Sequence, residues 1–287
     1  MPFRFAAAAL AALVLATPAA AQDNAVDVMS RAMQRLVANT EGVRDYTLTL
    51  RSGILETEVY VYRDGDEWEV AGPEDDEQAG GVLKALVVWP GFSDLDAEFP
   101  DPGEVSDEDL EEFGDAFTLT RETLDGRQAQ VLFVRLRELM EVMEDGEPDS
   151  GMPDSLRLFL DPESHQILRV HVAGDAPSMG ELGPGGGSME ATMDFGDYRE
   201  TDGLTVPHTM RMTMDVDVEL TAEQRAGMRA GIEYARSQMA ADDSEEARQG
   251  AALIDLMLPL LTEGHLEVPV SVENVRVNAG PPSWFEG

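Results

Sequence analysis

Four histidines, His165, His171, His208 and His265, are the side chains in this chain best suited to move a proton or hold a metal near neutral pH. None stands at a spacing that such chemistry uses. The sequence has no H-E-x-x-H, no G-x-S-x-G and no S-x-x-K. The string Gly186-Gly187-Ser188-Met189-Glu190 lacks the closing glycine of a serine elbow. An EF-hand loop is missing too, and 57 acidic residues are too many for any pair to stand out as acid and base. The sequence points away from an enzyme, and no motif asks for a cofactor.

One row of residues has a chemistry of its own. His208, Met210, Met212 and Met214 alternate along one segment, so as a strand they share a face. Imidazole and thioether are soft ligands that suit Cu(I). Same-face neighbours lie about 6.6 Å apart, close enough for long side chains to converge on an ion. The plainer reading is a strand facing a core. Met189 and Met193 share a face of the preceding segment. Methionine is flexible and polarizable, so such a surface either fills a core or adapts to variable apolar ligands.

The elements that would carry these residues are mostly strands. Ala25 to Asn39 reads as a helix, with Val26, Met29, Met33, Leu36 and Val37 on one face and Asp23 or Asn24 as its cap. Alternation follows: Tyr46, Leu48 and Leu50 on one strand face, then Leu55, Thr57, Val59 and Val61 after the Ser52-Gly53 turn. Asp64-Gly65 turns the chain toward Trp68 and Val70. Further strands read at 82–89, 116–124, 128–136, 156–160, 167–172, 189–199, 204–219 and 266–277. Pro207 removes a ladder donor and marks an edge or a bulge. The runs at 73–78 and 93–112 are acidic loops, the second with a short helix capped by Ser106. Residues 180–188 form a glycine-rich loop. No lysine and no helix follow it, so it does not cradle phosphate.

Between the last two strands, 221–262 reads as a helical hairpin. Met228, Ile232, Ala235 and Met239 stripe its first helix, and Leu253, Ile254, Met257, Leu258 and Leu261 crowd one face of the second. The fold class is therefore α+β. About ten strands make a curved, unclosed antiparallel β-barrel, and the N-terminal helix and the hairpin cover its concave face. Leu48, Leu50, Val59, Val61, Met189, Met193, Met210, Met212 and Met214 are the candidate lining of a cavity on that face.

Composition places the chain outside the cytoplasm. Arg4, the apolar run Phe5 to Ala16 and the small residues Ala19-Ala20-Ala21 follow the pattern of a signal peptide cleaved after Ala21. The apolar run is too short for about 30 Å of hydrocarbon. Residues 22–287 then form one domain without a stable membrane insertion, expected as a monomer. There is no cysteine, hence no acylated one and no disulfide. The net charge of −37 repels phosphate backbones and argues against nucleic acid. Lys84 is the only lysine, a composition suited to salty surroundings.

Three stretches carry a family resemblance. LRLFLDPESHQILRV (Leu156 to Val170), then FGDYRETDGLTVPHTM (Phe195 to Met210), and the ending VENVRVNAGPPSWFEG (Val272 to Gly287) resemble the bacterial outer-membrane lipoprotein-sorting and carrier proteins. The resemblance implies a half-barrel of the Lol carrier type, with helices lidding a hydrophobic cavity for acyl chains. It implies a periplasmic, non-enzymatic protein that binds a lipid, an acyl chain or a lipidated partner. A ligand-free scaffold of the envelope and a Cu(I)-binding protein are the alternatives. The hairpin at 221–262 departs from the family's run of strands, and so does the strongly acidic charge.

Overall fold

The computed structural model describes residues 28, 31, 32, 35, 38–53, 55–65, 67–73, 117–136, 153–175, 187–218, 222–240 and 244–285. The leader at 1–21, the strand read at 82–89, the acidic run at 93–112 and most of those at 73–78 and 180–188 lie outside them. Gly187 and Ser188, read as loop, open a strand instead.

Ten strands form one antiparallel sheet: β1 (Asp45–Ser52), β2 (Leu55–Asp64), β3 (Glu67–Ala71), β4 (Phe117–Leu124), β5 (Arg127–Arg135), β6 (Pro153–Leu160), β7 (Ile167–Asp175), β8 (Gly187–Thr201), β9 (Leu204–Val218) and β10 (His265–Val277). Their spatial order is β3-β2-β1-β10-β9-β8-β7-β6-β5-β4. The sheet does not close, and it is the half-barrel that the alternation predicts. The last strand joins two meanders, β1 to β3 and β4 to β9. Asp125-Gly126 and Asp202-Gly203 hold positive φ at both turn residues, the geometry that matches the twist of a tight hairpin.

The helices α1 (Ala222–Ala240) and α2 (Glu245–Glu263) fill the connection between β9 and β10. That connection is still a hairpin, because His265 pairs with Asp215 where the two strands part. Ser244 caps α2, its Oγ accepting from Ala247 N–H at 3.1 Å. Gly264 ends it at φ 74°, and a Cβ there would meet the Val216 carbonyl oxygen at 2.4 Å. Only glycine fits both the left-handed backbone and the close approach.

Period two puts most of the apolar set on the inner face, where Leu50, Val59, Leu132, Leu158, Met193 and Val268 belong to one buried core. Bulges keep that face apolar where the register slips. Between Thr49 and Leu50 the partner register skips Glu273, so Val272 and Val275 both turn inward. α2 lies over β10, β9 and β2, with Ala252, Leu256 and Leu260 against the core. Of the crowded face read from the sequence, Ile254 and Leu258 are half-buried, and the side chains of Leu253, Met257 and Leu261, with that of Met228, lie outside the described residues. The N-terminal helical residues cover the other side, where Val28 and Ala32, four apart, are buried with Leu160 beside Leu119 and Ile167. No described helix is long and apolar enough to cross a membrane.

Candidate functional site

The sheet comes apart at one place. β10 pairs with β9 only from His265 to Ser271, opposite Asp215 to Thr209. Beyond that, β10 stays with β1 while Leu204 to Pro207 of β9 stay with β8. The first part of β9 therefore has a free side toward β10, as an edge strand does. Pro207 belongs there. Thr205 and Pro207 direct their backbone groups the same way, so the donor that proline lacks would have pointed into the split.

The end of the N-terminal helix fills the split. Asn39 Nδ2 donates to the Thr205 carbonyl at 2.8 Å, and Thr205 N–H donates to Asn39 Oδ1 at 2.7 Å. One side chain thereby supplies both halves of a strand pairing. Beneath it lies a cavity of about 80 Å³. Tyr46, Leu48 and Val272 wall it from β1 and β10. Leu204, Val206 and Met210 wall it from β9, Phe195 and Tyr198 from β8. Ala32 and Arg35 roof it, and His165, Gln166 and Ile167 close the side at the β6–β7 turn.

Backbone irregularities aim these side chains. Asp197 has φ 51°, and it and His208 are skipped in the β8–β9 pairing without a shift of register; past this local twist Tyr198 turns inward as Phe195 does. The Tyr198 hydroxyl donates to the Ile167 carbonyl at 2.6 Å. Burial pushes the phenols of Tyr198 and Tyr46 far up, so both stay neutral. The β6–β7 turn is set by Asp161, whose Oδ1 accepts from Ser164 N–H at 2.7 Å and Glu163 N–H at 3.0 Å. Burial raises the Asp161 carboxyl, and these hydrogen bonds with the Ser164 hydroxyl and Arg127 outweigh it and hold it low. The turn leaves His165 at φ 57°. Its Nε2 is buried without a hydrogen-bond partner among the described residues.

Of the nine residues read as cavity lining, the structure brings Leu48 and Met210 to this cavity. Leu50, Val59, Val61 and Met193 are buried in the same inner core, with Met212 and Met214 packed against it. Met189 is half-buried near the far end of β8. Met212 stands opposite Met193, and Met210 opposite Phe195. His208 is half-buried on the same strand, outside the cavity lining, with its Nε2 buried and unpartnered among the described residues. Among the described residues no group of three His, Asp or Glu side chains is placed to hold a metal.

Arg35, Asn39, His165, Tyr198 and Thr205 escaped the sequence reading. Their signal was faint: Tyr198 sits in the D-Y-R string already quoted, and Asn39 is the last polar residue of the first helix.

No family model matches the sequence, and no curated protein matches it. Solved structures similar to it include an outer membrane lipoprotein-sorting protein domain from Vibrio parahaemolyticus, 10% identical, covering 88% of this chain and 93% of that one with a TM-score of 0.36. A LolA superfamily protein from Nitrosomonas europaea is 12% identical, covering 87% and 94% with a TM-score of 0.31. The MucA/MucB complex of Pseudomonas aeruginosa is 10% identical, covering 88% and 100% with a TM-score of 0.18. The first two carry the family name that the sequence resembles. The fold described above rests on this chain's own strand order and register.

Proposed function

We propose that this chain is an exported, non-enzymatic binding protein of the lipoprotein-sorting type, which shields an acyl chain of a lipid or lipidated partner between its N-terminal helix and the inner face of its sheet. One observation carries the reading. The sheet splits between β9 and β10, and the split is closed by a separate helix over an apolar cavity instead of by strand pairing. A helix fastened at its end by one side chain can lift without breaking the sheet. The inner face beyond the cavity continues through Met210, Met212 and Met214, flexible side chains that make room for a chain of variable length. The leader read at 1–21 agrees with work in the periplasm.

The closed volume favours a second reading. A dry cavity of about 150 Å³ holds one benzene, whereas this one is about 80 Å³. Uptake of an acyl chain requires the helix to move. A protein that keeps it shut is a ligand-free scaffold of the envelope. Mass spectrometry of the gently purified protein separates the two. The carrier is recovered with lipid or takes up a fluorescent fatty acid; recovery bare, with no uptake, leaves the scaffold.

A further inference from the structure

The cavity differs from the rest of the molecule in charge. Asp and Glu make up 57 of the 287 residues, about one in five, yet among the described residues the sixteen that line the cavity include neither. Among the described residues its basic side chains are Arg35 and His165. Arg35 stands exposed on the covering helix, with no ion-pair partner among the described residues. His165 keeps a buried Nε2 without a partner among the described residues, although buried polar atoms normally find one. It does so from a left-handed backbone that a histidine adopts at some cost. A neutral apolar ligand would leave both groups unused. A ligand with an acidic end would use both.

We infer that the ligand of this cavity is a single-chain fatty carboxylate, its tail on the apolar floor of Leu48, Val206, Met210 and Val272 and its carboxylate accepting from the Arg35 guanidinium and from His165 Nε2–H. This rests on the acyl-binding reading above and adds the head group to it. Arg35 binds by charge and by two parallel donors. His165 adds one donor at a fixed position. The Asn39 amide is spent on Thr205 and takes no part.

The test is calorimetric titration of the full chain with dodecanoate and with 1-dodecanol, both below their micellar concentrations. Dodecanoate binds at least tenfold more tightly than the alcohol. Arg35→Gln removes most of that advantage, and His165→Asn, which tolerates the same backbone, removes about threefold. Arg229→Gln, the same charge change on exposed α1, leaves dodecanoate binding as it is. Equal affinity for the acid and the alcohol, or an unaltered advantage in Arg35→Gln, overturns the head-group assignment while leaving acyl binding standing. Binding of neither ligand overturns both.

Discussion

Asn39 and Thr205 lie 166 positions apart in sequence and exchange two hydrogen bonds, at 2.7 and 2.8 Å, through one amide side chain. The pair does for the start of β9 what β10 does for the rest of it. It also fastens the end of the N-terminal helix over the start of β9. Asn39→Ala should cost about 1–2 kcal/mol, two neutral hydrogen bonds at about 1 kcal/mol each. Chemical denaturation measures it. In the same variant the Thr205 amide should exchange hydrogen faster than in the parent. An unchanged Thr205 exchange rate would show that the helix is held elsewhere.

His265 and Asp215 mark where the helical hairpin leaves the sheet, with Nδ1 and Oδ1 2.7 Å apart. The hydrogen bond that His265 donates to Asp215 raises the histidine above its ordinary value; desolvation opposes it, and the charges of Asp215, Glu267 and Glu263 add to the rise. A group raised on folding stabilises the fold below its unfolded pKa, and the gain is lost as pH rises through the folded one. The stability difference between the parent and Asp215→Asn should therefore be present at pH 5.5 and gone by pH 9. NMR titration of the His265 ring should show its midpoint falling in the variant.

Gly264 sits against the Val216 carbonyl, while Val216 N–H donates to the Gly264 carbonyl at 2.7 Å. Gly264→Ala should destabilise by about 1–3 kcal/mol through backbone strain alone, and the crowding at Val216 adds to it. Proteolysis should then cut first at the junction of α2 and β10. A silent substitution, read by thermal unfolding, would contradict this junction.

The tail after β10 returns to the outer face of β2. Phe285 packs edge-on against Tyr60 and Tyr62, at 5.0 and 5.1 Å between ring centres. Trp284 Nε1 donates to Glu58 at 2.6 Å. Asn278 anchors the tail's start, its Oδ1 accepting from Arg44 N–H at 2.7 Å. Phe285→Ala should cost about 1–2 kcal/mol, the size of two aromatic contacts. Trp284 fluorescence should shift to the red. A tail that merely trails into solvent would show neither.

The strands of this fold were legible where one face is dry and the other wet. Leu204 to Val218 alternates without a break, and its partner face was read correctly from Met189 to Met193. The position of β10 was not legible. Its partners on β1 lie more than 200 residues away, and local alternation says nothing of which distant strand pairs with which. The helix α2 is apolar on most sides and has no single stripe, so periodicity alone does not set its contact face. The cavity was half legible. Leu48 and Met210 follow from periodicity, whereas His165 and Tyr198 reach it through a turn and a local twist at Asp197 that break periodicity.

The most direct test is a paramagnetic one. A fatty acid spin-labelled near its tail end is added to the full chain, and methyl signals are watched by NMR. Bound under the N-terminal helix, it should broaden Leu48, Met210 and Val272 first, and leave Val131 and Leu168 on the outer face sharp. No broadening, or broadening on the outer face alone, would contradict an acyl-binding cavity at the split between β9 and β10.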